Sequence, residues 1–146
     1  MRIYKTEDKQ KYISLFLIAD EQLNMIEKYL PDSAVYLLDD NGIKGEITVL
    51  DCGNGVLEIK NLAVLPEYRR LGYGRKLIEF VCEKYKYNFT TVTVGTGDSP
   101  LTVPFYEKCG FVKSHTVKNF FTDNYDCEII EAGVKLIDMV YLIKKL

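Results

Sequence analysis

Residues 66–77 read Pro66-Glu67-Tyr68-Arg69-Arg70-Leu71-Gly72-Tyr73-Gly74-Arg75-Lys76-Leu77, a basic, glycine-spaced turn between an apolar strand-like run and a helical pattern. Such a turn is suited to an anion. Gly72 and Gly74 let the backbone approach a ligand with no Cβ in the way, and the amides that follow are the unpaired N–H groups of a helix start. Aligned amides and the positive end of the helix dipole favour a phosphate by roughly 0.3–1 kcal/mol when exposed and up to about 2 kcal/mol when partly buried. Arg69, Arg70 and Arg75 add charge and planar donors that match pyrophosphate oxygens. An ordinary basic loop with a glycine turn has the same spacing, so the pattern alone leaves both readings open.

Other chemistries find few residues here. Cys52, Cys82, Cys109 and Cys127 form no C-x-x-C pair and His115 is the only histidine, so a metal-independent protein is expected. No neighbour in sequence would lower a thiol pKa, so Cys82 and Cys109 read as small core or boundary residues. A net charge of -2 argues against nucleic-acid binding driven by a basic surface. With 47% hydrophobic residues the chain is not disordered, and 146 residues fit one domain, 1–146, with a substantial core. The N-terminal residues lack a signal peptide's apolar core and no run approaches a membrane span, which predicts a cytoplasmic protein with reduced thiols.

The elements that must position the turn follow from periodicity. A short strand at Arg2–Tyr4 precedes residues 8–30, whose apolar spacing suits one or two amphipathic helices ended by Pro31. Ala34–Leu38 and Lys44–Leu50 read as strands around the hairpin turn Asp39-Asp40-Asn41-Gly42, and residues 56–65 as the next strand. In that strand Leu57 and Ile59 occupy odd positions but Leu62 and Val64 even ones, a phase change expected of a β-bulge or of burial on both faces. Leu77, Phe80, Val81 and Tyr85 mark a helix after Gly74, and Asn88–Val94 a strand parallel to 56–65 across that crossover. The glycine turn then lies at the carboxyl end of a parallel strand, where ligands gather in α/β sheets. Gly95-Thr96-Gly97-Asp98-Ser99-Pro100 is read as breaking the strand, Leu101–Lys108 as a short helix, and Phe111–Val117 and Val134–Leu142 as the last strands.

These residues carry a family pattern: the chain resembles the GNAT superfamily of N-acetyltransferases. The signature Arg/Gln-x-x-Gly-x-Gly/Ala after a strand is matched by Arg69-x-x-Gly72-x-Gly74, and Asn61-Leu62-Ala63-Val64 resembles the family's central strand. A distant segment, Pro104-Phe105-Tyr106-Glu107-Lys108-Cys109-Gly110-Phe111, is similar to its Phe/Leu-Tyr-x-x-x-Gly-Phe motif. The closing stretch through Asp138-Met139 resembles small single-domain bacterial members. The resemblance implies an α/β (α+β) fold with a mixed, mostly antiparallel sheet of about six to seven strands flanked by helices, and a splayed parallel pair holding acetyl-coenzyme A as cosubstrate. Backbone groups of Leu62 and Val64 would meet the pantetheine arm. The amides of Arg70, Leu71, Gly72, Tyr73, Gly74 and Arg75 would hold the pyrophosphate, with Arg69 at the motif's first position. Ser99 stands seven residues before Tyr106, where many members place a cofactor-contacting Asn, and a hydroxyl replaces only part of an amide's bonding.

The implied reaction is attack of a primary amine on the thioester within a ternary complex. A backbone amide near Val64 would donate to the carbonyl oxygen. Tyr106 matches the family's usual general acid, although outside the motif it reads as packing beside Phe105. Glu58, an acid on an apolar strand five residues before Ala63, is either the base that deprotonates the amine or an outward residue paired with Lys60. Residues 119–131, with Phe120, Phe121, Tyr125, Asp123, Asp126, Glu128 and Glu131, offer an aromatic and acidic wall for a cationic amine, either a small polyamine or aminoglycoside-like molecule or a peptide N-terminus or lysine. The alternative is a module that binds acetyl-coenzyme A as a sensor without chemistry. A P-loop is disfavoured because no Gly-Lys-Ser/Thr follows the turn. Exposed sheet edges allow a homodimer.

Overall fold

The computed structural model describes all 146 residues. In chain order the elements are β1 (Arg2–Thr6), α1 (Ile13–Ala19), α2 (Leu23–Tyr29), β2 (Ala34–Asp39), β3 (Ile43–Asp51), β4 (Val56–Val64), α3 (Tyr73–Tyr85), β5 (Thr91–Gly97), α4 (Val103–Lys108), β6 (Val112–Val117), α5 (Phe120–Asn124), β7 (Ile130–Glu131), β8 (Val134–Lys135) and β9 (Met139–Lys145). Seven strands form one sheet in the order β1-β2-β3-β4-β5-β9-β6, and β7 and β8 make a separate hairpin. Only β4 and β5 run parallel. The sheet is thus the mixed, mostly antiparallel one that the family resemblance implies.

Both faces of the sheet are covered. On one, α3 and α4 bring Leu77, Ile78, Val81, Val103 and Tyr106 against Ile47, Val49, Leu57, Ile59 and Val94. On the other, Leu15 and Phe16 of α1 and Ile26 of α2 pack with Val35, Leu37 and Ala63. Each fully buried aliphatic side chain contributes roughly 1.5–3 kcal/mol, so the two layers clamp the central strands from both sides.

The phase change in β4 is a bulge and two-sided burial together. Thr48 stands opposite Asn61 and Val49 opposite Ile59, which leaves Lys60 without a partner on β3. The extra residue reverses the faces. Leu57 and Ile59 belong to the layer under α3, whereas Ala63 belongs to the layer under α1 and α2.

Two expectations from the sequence are corrected. Gly95 and Gly97 do not break β5, which stays paired with β9 through Gly97. These glycines serve close approach: a Cβ on Gly95 would lie 2.7 Å from the Met139 sulfur, and one on Gly97 would lie 2.6 Å from Leu136. The single strand expected over 134–142 is β8 and β9, separated where Leu136 buries against Gly97 and Asp138 accepts a 2.8 Å bond from the Asn119 amide. Of the one or two helices expected over residues 8–30 the structure has two, because the backbone turns extended at Asp20 and Gln22.

Candidate active site

The parallel pairing of β4 and β5 ends at Ile59 opposite Val94. Beyond it β4 follows β3 to Val64, β5 follows β9 to Gly97, and a gap opens between them. The Leu65 amide donates to the Lys44 carbonyl at 2.9 Å, so the groups of Ala63 and Leu65 face β3. Alternation along a strand then turns the N–H and C=O of Leu62 and Val64 toward the gap, where no strand takes them. Leu62 and Val64 thus carry open backbone groups on the β4 edge of the gap.

At the end of β4 a short 3-10 turn, Pro66–Tyr68, leads into the basic loop. Arg70 has φ of 65° and Gly72 of 85°, and α3 begins directly after Gly72. The first amide of this region to find a backbone partner is that of Lys76, bonded to the Gly72 carbonyl at 3.0 Å. The amides of Arg70, Leu71, Gly72, Tyr73, Gly74 and Arg75 have no acceptor in the protein. That row of donors, at the start of a 13-residue helix, is suited to phosphate oxygens. Arg69, Arg70, Leu71 and Gly72 are exposed, Arg75 pairs with Glu79 at 3.2 Å, and the Tyr73 hydroxyl donates to Asp40 at 2.6 Å, tying the turn to the β2–β3 hairpin. Gly74 sits where a Cβ would be 3.1 Å from the Phe105 ring, so the helix start packs directly on α4.

Tyr106 follows Phe105 on α4 and lies in the core beneath α3. Its ring is 7% exposed and stacks edge-on with Phe105 and Phe111 at 5.1 and 5.6 Å. Burial above all, then the neighbouring Cys109, Glu46 and Glu131, pushes its phenol well above the usual tyrosine range, so it is protonated at neutral pH. Ser99 is buried, and its hydroxyl already donates to Glu131, contacts Thr102 and accepts from the Leu101 amide. It acts in the turn before α4.

On the opposite face a cleft of about 380 Å³ opens onto the point where the strands part, lined there by Ile59, Lys60 and Gly95. Glu58 lies in its wall and is paired with Lys60 at 3.0 Å. The Cys52 thiol also donates to Glu58 at 3.6 Å. From the expected aromatic and acidic wall, only Phe120 and Tyr125 line the cleft; Phe121 is core, Asp123, Asp126 and Glu128 face solvent, and Glu131 is engaged by Ser99. The carboxylate that faces Glu58 comes instead from Asp20, at the break between α1 and α2. It accepts from the Tyr125 hydroxyl at 2.7 Å and the Tyr29 hydroxyl at 3.5 Å. Burial raises its pKa, partly offset by those donors and by Lys60.

Glu46 is the other residue that sequence reasoning missed. It is fully buried on β3, accepts 2.7 Å from the Thr48 hydroxyl through Oε2, and leaves Oε1 without a partner. Burial raises its carboxyl pKa well above the usual range, against the smaller effects of Thr48 and the Ala63 backbone. Asn61, also buried, donates to the Phe16 carbonyl and to Tyr29, each at 3.0 Å. A buried polar path thus runs from β4 to Asp20. The structure has no group of three or more His, Cys, Asp or Glu side chains placed to hold a metal ion, and no helix long and apolar enough to cross a membrane.

The sequence profile of the acetyltransferase (GNAT) domain matches residues 31–113, which spans the gap, the turn and α4. The chain belongs to the GNAT family of N-acetyltransferases. It is 30% identical over 139 residues to the uncharacterized N-acetyltransferase YvbK of Bacillus subtilis, covering 93% of this chain and 90% of that one. A GNAT family acetyltransferase of Elizabethkingia anophelis, solved with acetyl-CoA bound, superimposes with a TM-score of 0.93 at 32% identity, over 99% of this chain and 97% of the other. An IAA acetyltransferase of Bacillus cereus gives 0.93 at 30% identity, covering 99% of both chains. A Bacillus subtilis acetyltransferase in complex with CoA gives 0.90 at 30% identity, covering 99% and 98%.

Proposed function

We propose that residues 1–146 act as one domain that moves the acetyl group of acetyl-coenzyme A to a primary amine, by direct attack in a ternary complex. One observation carries the reading: a single gap between β4 and β5 has open backbone groups on its edge and the amide row at its mouth, and it meets the cleft on the opposite face. Relatives of the same fold at 32% and 30% identity carry acetyl-CoA and CoA.

In this reading the amides of residues 70–75, with Arg69, Arg70 and Arg75, hold the pyrophosphate, and Leu62 and Val64 pair with the pantetheine amides. Ser99 supports the turn beside them. An ammonium entering the cleft gives one proton to Glu58, directly or through water, and the freed lone pair attacks the thioester carbon. An N–C bond forms as the C–S bond breaks, the sulfur takes a proton from Tyr106, and the nitrogen's second proton leaves through water, which returns a proton to the Tyr106 phenolate. A reference phenol exceeds a reference thiol by about 1.5 pKa units, roughly 2 kcal/mol, so proton transfer from Tyr106 is uphill until the leaving thiolate is itself desolvated. Tyr106 therefore contributes first as a hydrogen-bond donor to developing charge and only then as an acid. Oxygen charge falls to the amide near Val64, one of the groups facing the gap.

Titration with acetyl-coenzyme A followed by free-thiol release against a panel of amines tests the reading. Amine-dependent release supports it, binding without release from any amine favours a sensor, and absence of binding overturns it.

A further inference from the structure

The charges around the cleft narrow the acceptor beyond "primary amine". Two carboxylates and two ammonium groups line it, so the wall is balanced overall. Neither carboxylate is free: Glu58 is held by Lys60, and Asp20 by the phenols of Tyr125 and Tyr29. A carboxylate so held still has acceptor capacity for one ammonium, but the cleft has no surplus negative charge for a second. Lys28 differs. Its ammonium touches only the Met25 sulfur, at 3.4 Å, and no carboxylate lies within ion-pair distance. Between these charges the surface is aromatic and thioether, and a volume of about 380 Å³ suits a small molecule better than a polypeptide segment.

We infer that the acceptor is a small zwitterion, a single amine and a carboxylate on an aromatic or apolar body, with the amine toward Asp20 and Glu58 and the carboxylate on Lys28. The inference rests on the acetyl-transfer reading and replaces the polyamine and aminoglycoside-like acceptors among its candidates. A second ammonium would meet Lys28 as a like charge, whereas a carboxylate there matches the one ammonium in the wall that has no carboxylate partner.

The test compares L-phenylalanine, phenethylamine and spermidine by kcat/KM in the thiol-release assay, for the wild type and for Lys28→Met and Lys28→Glu. Lys28 is exposed, so both variants fold, which thermal unfolding verifies. Phenylalanine is expected to exceed phenethylamine by about fivefold, the worth of one partly exposed ion pair, and spermidine by more. The ratio collapses in Lys28→Met, and Lys28→Glu shifts preference toward spermidine. Equal rates for phenylalanine and phenethylamine, a preference for spermidine in the wild type, or a ratio unmoved by Lys28→Met overturns the inference while leaving acetyl transfer standing. Calorimetric binding of N-acetyl-L-phenylalanine against N-acetylphenethylamine reads the same preference without turnover. If thiol release fails with every amine but the Lys28-dependent preference persists in binding, acetyl transfer falls and the zwitterion site stands; equal binding of the two overturns the site as well.

Discussion

Replacing Gly72 by Val separates the anion-binding role of the turn from its structural one. Gly72 has φ of 85° with no protein atom within 4 Å of where a Cβ would stand, so the penalty is conformational and not steric. A left-handed conformation costs an L-residue roughly 1–2 kcal/mol, and a β-branched side chain makes it an outlier. The loop relieves this by leaving the left-handed region, which swings the amides of Tyr73 and Gly74 off their shared direction. A ligand that needs those amides must then restore the strained backbone, so its Kd rises by at least about 5–30-fold, the same 1–2 kcal/mol expressed as affinity. Gly53 supplies the control, with φ of 80°, equally open space, and a place in the β3–β4 turn at the far end of β4. Gly53→Val carries a comparable backbone penalty and is expected to change the Kd for acetyl-coenzyme A by less than about twofold. Calorimetric titration of the two variants decides it. An unchanged Kd in Gly72→Val, or an equal loss in Gly53→Val, refutes the assignment of the amide row to the pyrophosphate.

Tyr106→Phe keeps the stacking with Phe105 and Phe111 and removes only the hydroxyl; turnover is expected to fall about 10²-fold with acetyl-coenzyme A affinity unchanged, and full activity would remove its acid role. Glu58→Gln should depress thiol release most at low pH, where more of the amine arrives protonated, and a constant ratio to wild type across pH would leave water as the base. Glu46 is buried with its pKa raised above 4.5, so its stabilising effect is complete below that pH and is lost as pH rises toward the folded value. Above pH 4.5 the wild type should therefore lose stability against Glu46→Gln by up to about 1.4 kcal/mol per pH unit, and parallel denaturation curves from pH 5 to 8 would show that Glu46 is not held neutral.

The turn with its row of open amides was legible because its requirements are local. Glycines, arginines and a helix start are all present within residues 69–75, and the six open amides follow from backbone geometry that glycine spacing announces. The succession of β1 to β6 along the chain was legible for a similar reason, since their periods and most of their turns are written in contiguous residues. The cleft was not. Asp20 reads in sequence as a polar break between two amphipathic helices, and only tertiary packing sets it against Tyr29, 9 residues on, and Tyr125, 105 residues on. Glu46 and Thr48 alternate with apolar residues as solvent-facing positions do. Alternation established that they share a face, but not that α1 and α2 cover that face. Gly95 and Gly97 misled in the opposite sense, since a glycine that breaks a strand and one that admits a neighbouring side chain look alike until Met139 and Leu136 are in place.

The bulge at Lys60 joins these two kinds of information. Without the extra residue, Asn61 and Ala63 would stay on the face of Leu57 and Ile59, and the polar path from Asn61 through Tyr29 to Asp20 would have no start on β4. The same residue is where β4 ceases to run beside β5, so the gap begins where the faces exchange. Its own side chain, unopposed on β3, is free to reach back to Glu58 and neutralise the acid that would otherwise make the cleft a trap for polycations. A single inserted residue thus couples the β4 edge, proposed to pair with the cosubstrate, to the charge balance of the cleft, which is why a cation rather than an apolar residue fits at the bulge.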